Sequence, residues 1–175
     1  KGKKVLLIDG DLRHGTVSAY VGSPKKGLSD YLGYEETSWN ELLITDKKYP
    51  NLHTIPVGTI PPNPTELLED KSLATLIQAL RNEYDYIFID CPPIDIVADA
   101  QIIEQYADRT FFVVRAGLLD CSLLSELENI YQEKRFKNLS IILNGTESTG
   151  GRYSYRYGYS YGYHNGYASY CRDKK

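Results

Sequence analysis

From residue 4 to residue 144 the chain alternates short apolar runs with stretches in which apolar residues return every three or four positions. Val5–Ile8, His53–Val57, Tyr86–Ile89, Thr110–Val114 and Leu139–Leu143 form the runs, mostly β-branched or aromatic with little polar alternation. Strands buried on both faces have this make-up. Leu73, Leu76, Ile77 and Leu80 follow the i, i+3, i+4, i+7 spacing of one helix face behind Ser72 as a candidate cap. Leu123, Leu127, Ile130 and Tyr131 repeat the pattern before the last strand, and shorter helices are predicted around Leu28–Leu32 and Trp39–Leu43. Strands alternating with helices predict an α/β domain, a mostly parallel sheet flanked by helices.

Two segments interrupt this rhythm. Pro61-Pro-Asn-Pro64 fixes φ at three positions and removes three amide donors, which predicts a rigid loop leading into a helix. After Asn144, the stretch Gly145-Thr-Glu-Ser-Thr-Gly-Gly151 reads as a flexible linker into a low-complexity tail of Tyr, Gly, Ser and Arg. The expected organisation is a domain over residues 1–145 and a linker with tyrosine-rich tail over residues 146–175.

Composition narrows the class. With 20 Lys+Arg against 23 Asp+Glu, a net charge of −3 and 25% charged residues, the 175 residues suit one soluble globular domain. No basic excess argues for a nucleic-acid partner, and no apolar run approaches the roughly 20 residues that span a bilayer. Cys91, Cys121 and Cys171 are far apart and form no C-x-x-C pair, which speaks for a reducing cytosol over a disulfide framework or zinc site. The charge is uneven: residues 152–175 carry +4 and the remainder −7. The chain has no methionine and starts at Lys1, so further sequence upstream is expected.

In open parallel sheets, ligands bind beyond the carboxyl ends of the strands. Two predicted strands end there in aspartate: Val5-Leu-Leu-Ile-Asp9-Gly-Asp11-Leu-Arg13 and Tyr86-Ile-Phe-Ile-Asp90-Cys-Pro-Pro93. In extended chain, positions 9 and 11 share a face, and Gly10 permits close approach by another backbone or a ligand. An apolar strand ending in Asp can hold Mg²⁺ near transferring phosphates, and the alternative is that these aspartates cap their turns.

The run Lys4-Val-Leu-Leu-Ile-Asp-Gly-Asp-Leu-Arg13 resembles the second Walker-type motif of the bacterial tyrosine kinases of capsule and exopolysaccharide systems, relatives of the MinD-like ATPases. Tyr86-Ile-Phe-Ile-Asp90-Cys-Pro-Pro93 is similar to their Walker B strand, and Gly58-Thr-Ile-Pro-Pro-Asn-Pro-Thr-Glu-Leu-Leu68 to their Pro-Pro-Asn-Pro segment. Phe112-Val-Val-Arg-Ala-Gly117 and Leu143-Asn-Gly145 resemble the next core strand and the strand end before the tail. The combination with a terminal tyrosine cluster sets this family apart from other MinD-like proteins.

The resemblance implies a P-loop NTPase-like fold, ATP and Mg²⁺ as cofactors, and tyrosine autophosphorylation between subunits. By resemblance Asp9 is the general base toward the acceptor hydroxyl, and Asp11 and Asp90 hold Mg²⁺ directly or through water. Arg13 is placed with these catalytic residues, pairing with a carboxylate, steadying phosphate or lying exposed on a turn. Asn144 matches an adenine-contacting position or caps its turn. Asp99 contacts nucleotide or caps the helix starting there, and the cap is the preferred reading. The implied partners are neighbouring subunits of a homo-oligomer, a tyrosine phosphatase and a membrane activator or polysaccharide co-polymerase region, at the inner face of the bacterial cell membrane. The alternatives are a MinD- or ParA-like dimerising ATPase and a non-catalytic interaction module.

The chain departs from the family in one respect: it contains no Gly-Lys-Ser/Thr phosphate-binding loop. Lys1-Gly-Lys-Lys4 resembles the end of the helix that follows such a loop, so a strand-loop-helix unit of about 30 residues is expected upstream, and with it a central strand of the sheet. Without it the chain alone is expected to be inactive. Tyr153, Tyr155, Tyr157, Tyr159, Tyr161, Tyr163, Tyr167 and Tyr170 are the candidate phosphoacceptors; the alternative is sticky low-complexity sequence. Each phosphate adds about −1.5 to −2 charge at neutral pH, so about three would overturn the tail's positive charge.

Overall fold

The computed structural model describes residues 2–33, 38–93, 98–118 and 123–146, in two compact units divided after Tyr106. The tyrosine tail, most of the linker before it, Cys121 and Cys171 lie outside the described residues.

The first unit is built on a four-stranded sheet of order β2-β3-β1-β4. Strand β1 (Val5–Asp9) pairs in parallel with β3 (Tyr49–Ile55) on one side and β4 (Tyr86–Asp90) on the other. A short β2 (Ile44–Asp46) adds an antiparallel edge to β3, through a turn in which Asp46 Oδ1 accepts from the Lys48 amide at 2.6 Å. This hairpin shifts the expected strand: β3 begins at Tyr49, four residues earlier than the apolar run, and ends before Pro56, which has no amide to extend a ladder.

One sheet face carries Leu6, Ile8, Ile55, Ile87 and Ile89, and these pack with the helices into the core. Helix α2 (Leu28–Gly33) contributes Leu28 and Leu32, and α4 (Lys71–Glu83) contributes Leu73, Leu76, Ile77 and Leu80, each of the six nearly fully buried. Burying such a side chain stabilises by about 1.5–3 kcal/mol, so the predicted apolar stripe is what docks α4. Its cap is Asp70, whose Oδ1 accepts from the Ser72 amide at 2.8 Å; Ser72, the residue expected to cap, is the donor. The short helix expected around Trp39–Leu43 is a single 3₁₀ turn over Trp39–Leu42.

The Pro-Pro-Asn-Pro loop leads into α3 (Pro64–Glu69), with Pro64 in its first turn, where a missing amide costs nothing. A five-residue helix α1 (Thr16–Tyr20), which has no apolar period to announce it, follows β1 after Gly15 at φ +62°. Helix α5 (Asp99–Glu104) completes this unit. Along β4, Tyr86 and Phe88 project from the face opposite the core and are half exposed, and among the described residues β4 pairs with β1 alone.

In the second unit, β5 (Phe111–Arg115) pairs in parallel with β6 (Ser140–Asn144), joined through α6 (Leu123–Gln132). Val114, Leu127, Ile130 and Phe136 are buried, whereas Tyr131, expected on the apolar face of α6, is 58% exposed.

Strands β1 and β4 approach closely at Gly10, whose amide donates to the Asp90 carbonyl at 2.8 Å. A Cβ on Gly10 would lie 2.7 Å from that oxygen and 2.9 Å from Ile89 Cγ2. Gly10→Ala is therefore expected to destabilise by about 1–3 kcal/mol, as other overpacked sites do, read as a lower urea midpoint. An unchanged midpoint would show that β1 and β4 can separate freely.

Candidate functional site

The parallel register sets Asp9 directly beside Asp90 at the ends of β1 and β4. Both carboxylates stand on the face opposite the apolar core, because side chains alternate along each strand and Ile8 and Ile89 point into the core. Asp9 is fully buried. Its Oδ2 accepts from the Ser18 amide at 2.7 Å and from Ser18 Oγ at 2.6 Å, and Ser18 Oγ in turn accepts from the Val57 amide at 2.8 Å. Asp9 Oδ1 is buried with no partner among the described residues. Ser18 thus fixes one oxygen of Asp9 and leaves the other to an incoming donor or cation.

Asp11 is also buried and acts on the turn that follows, as capping aspartates do. Its Oδ1 accepts from the amides of Arg13 at 3.1 Å and His14 at 3.2 Å, and its Oδ2 lies 3.1 Å from His14 Nδ1. Asp90 is half-buried, and its pKa is raised first by that burial and then by the charges of Asp9 and Asp11. The same surroundings act on Cys91: burial, then Asp90, Asp11 and Asp99, push its thiol up to about 12, so it is no nucleophile at neutral pH.

Arg13 turns back toward α5. Its Nε donates to Asp99 Oδ2 at 3.0 Å and its Nη2 to Thr65 Oγ1 at 2.9 Å, while Thr65 Oγ1 donates to Asp99 Oδ1 at 2.7 Å. Of the readings open for Arg13, the carboxylate pair is the one present. Asp99 does not cap α5, whose cap position is Ala98; its fully buried carboxylate is engaged by Arg13 and Thr65. Asn144 belongs to the second unit, where its Oδ1 accepts from the Gly145 amide at 2.8 Å and closes the turn after β6. Asp9, Asp11, Arg13, Asp90 and Asp99 all belong to the first unit.

Ser18, Thr65 and His14 were not apparent as site residues in the sequence. The hydroxyl directly after Asn63-Pro64 and the polar residue after Arg13 were the available signals, and both patterns are common in ordinary turns.

The donor set fits a hard divalent cation. Asp11 and Asp90 would supply oxygen ligands, Asp9 Oδ1 is a buried oxygen with no partner among the described residues, and a cation would offset the burial and the neighbouring charges that raise Asp90. Among the described residues no three His, Cys, Asp or Glu side chains form a metal site by themselves. Mg²⁺ commonly takes one or two carboxylates and completes its shell with water and phosphate oxygens, so such a site needs a phosphate-bearing ligand.

A family profile described as an AAA domain matches residues 1–133. The tyrosine-protein kinase CpsD of Streptococcus agalactiae serotype III is 34% identical over 154 residues, covering 87% of this chain and 66% of that protein. CpsD of Streptococcus pneumoniae serotype 4 is 35% identical over 155 residues, covering 87% of this chain and 67% of that protein. The chain thus spans about two thirds of the length of these relatives. Among solved structures, the kinase domain of the Escherichia coli tyrosine kinase ETK superposes with a TM-score of 0.75 at 31% identity, covering 90% of this chain and 62% of that one.

The electrostatics predict a pH signature. Because the folded-state pKa of Asp90 is raised, its ionisation destabilises the fold once pH climbs past the unfolded value of about 3.9. Asp90→Asn is expected to raise the melting temperature at pH 7, with the gain fading as pH falls below that value. Thermal melts across this range test it; equal melting temperatures at every pH would show that neither burial nor the neighbouring carboxylates penalise the Asp90 charge.

Proposed function

Because the chain belongs to the family of bacterial tyrosine-protein kinases, we propose that the whole protein transfers the γ-phosphoryl group of ATP to tyrosines of its own tail. The observation that carries this reading is the meeting of Asp9 and Asp90 at adjacent parallel strand ends, with Asp11 on the turn that follows β1, in a chain whose sequence ends in eight clustered tyrosines. Asp11 and Asp90 hold Mg²⁺, which when bound draws charge from the transferring phosphoryl group. Asp9 orients the acceptor hydroxyl and takes its proton at Oδ1, since Oδ2 is held by Ser18. A phenol with a pKa near ~10 needs such an acceptor, and a buried oxygen without a donor is costly by about 1–3 kcal/mol until one arrives.

The phosphate cradle comes from a glycine-rich segment that residues 1–175 do not contain. Three features support this: the chain has no Gly-Lys-Ser/Thr sequence, among the described residues β4 pairs with β1 alone, and Tyr86 and Phe88 are half exposed on the face that bears the carboxylates. Tail tyrosines Tyr153 to Tyr170 enter a neighbouring subunit's site, the +4 tail approaching a −7 body. On the family resemblance, we place the whole protein at the inner face of the cell membrane. There a polysaccharide co-polymerase partner activates it and a phosphatase reverses it, and through this cycle it regulates capsule or exopolysaccharide production.

In the complete kinase, Asp11→Asn and Asp90→Asn are expected to cut autophosphorylation by about 100-fold or more and to weaken its Mg²⁺ dependence. Asp9→Asn should lower transfer comparably while leaving ATP·Mg²⁺ binding largely intact. Initial rates with labelled ATP, alongside nucleotide binding, separate these outcomes; near-normal rates in all three variants would exclude this site. The chain of residues 1–175 alone should incorporate no label.

Phosphorylation is also expected to release assembled subunits, since each phosphate adds negative charge to a tail drawn to an acidic body. Light scattering of the complete kinase before and after ATP should show disassembly for wild type and none for a protein with all eight tail tyrosines changed to phenylalanine. If wild type keeps its size, the electrostatic tether is wrong.

A further inference from the structure

We infer that Thr65 and Asp99 are positioning residues for the cation-binding carboxylate Asp11, acting through Arg13. This inference rests on the kinase reading above and adds to it two residues outside both strand-end motifs.

The observation is a closed network over three segments. Thr65 Oγ1 both accepts from Arg13 Nη2 at 2.9 Å and donates to Asp99 Oδ1 at 2.7 Å, while Arg13 Nε donates to Asp99 Oδ2 at 3.0 Å and Nη2 lies 3.4 Å from Oδ1. Asp99 has no exposed surface, so the arginine is its only compensating charge among the contacts described. A buried carboxylate of this kind is stable only when paired and fully hydrogen-bonded, which fixes the guanidinium in one place. The backbone of Arg13 is then fixed too, and its amide donates to Asp11 Oδ1 at 3.1 Å. The position of Asp11 is thereby tied to the start of α3, just after the Pro-Pro-Asn-Pro loop, and to the start of α5, nine residues after Asp90.

The chemistry of the cation explains why this matters. Mg²⁺ demands nearly ideal octahedral geometry at short distances, so a carboxylate displaced by a few tenths of an ångström binds it poorly. Thr65 supplies the one hydroxyl that bonds both partners of the ion pair at once. A serine retains that hydroxyl, whereas valine retains the shape and loses both bonds.

The test uses the complete kinase and measures the Mg²⁺ concentration needed for half-maximal binding of fluorescent ADP, together with the melting temperature and the rate of tail phosphorylation. Thr65→Val is expected to raise the Mg²⁺ requirement about tenfold and to lower the rate by a similar factor, with little change in melting temperature, while Thr65→Ser stays within about twofold of wild type. Thr65→Ala, which introduces no new methyl group, repeats the test if valine perturbs folding. An unchanged Mg²⁺ requirement in both Thr65→Val and Thr65→Ala would overturn the inference, as would a serine variant as impaired as valine. A wild-type protein that binds Mg²⁺·ADP but phosphorylates no tyrosine would instead overturn the kinase reading, and the Mg²⁺ titration would still decide the role of Thr65.

Discussion

The parallel pairing of β1 with β4 brings two carboxylates side by side, and their burial, together with the repulsion they share with Asp11, is the constraint around which the first unit is arranged. Like charges held this close in a partly buried place are unfavourable unless each is hydrogen-bonded or neutralised. The Gly10 amide, donating to the Asp90 carbonyl at 2.8 Å, holds the strand ends together. The charges must therefore be accommodated where they are.

Each carboxylate is accommodated differently, and the differences suit their proposed work. Asp9 takes a backbone amide and a hydroxyl on a single oxygen, from a helix too short to be stable alone. Asp11 spends its oxygens on the amides of its own turn and on His14. Asp90 has its pKa raised, because burial and then its two neighbours act on it together. Asp99, a fourth acid in the same region, is neutralised by Arg13 and is closed to solvent. A cation with a phosphate-bearing ligand would complete this arrangement by adding positive charge beside Asp9 and Asp90.

The surface around the carboxylates is also incomplete as a hydrophobic structure. Core packing accounts for Ile87 and Ile89 on one face of β4, whereas Tyr86 and Phe88 on the other are half exposed beside the strand end that carries Asp90. A parallel sheet is normally covered on both faces. In the proposed whole protein, the glycine-rich segment that supplies the phosphate cradle would also cover this face, so folding and nucleotide binding would depend on one element.

Much of this was legible in the chain because it rests on local periodicity. The apolar runs located β1, β4, β5 and β6, the three-and-four spacing located α4 and α6, and the tandem prolines marked the loop before α3. Asp9, Asp11 and Asp90 were legible as strand-end acids for the same reason, since an apolar run that stops at an aspartate is a one-dimensional signal. What the sequence could not supply were the pairings between distant residues. The β2–β3 hairpin displaced the start of β3, Asp70 took the capping role from Ser72, and Asp99 proved to be an ion-pair partner where a helix cap was expected. The residues that bind Asp9 and Arg13 lie nine and 52 or more positions away, at spacings set by how helices dock on the sheet. The sequence determined which groups carry charge and which strands end in them; the tertiary structure decided which partner satisfies each charge, because a buried ion finds its partner by proximity in space.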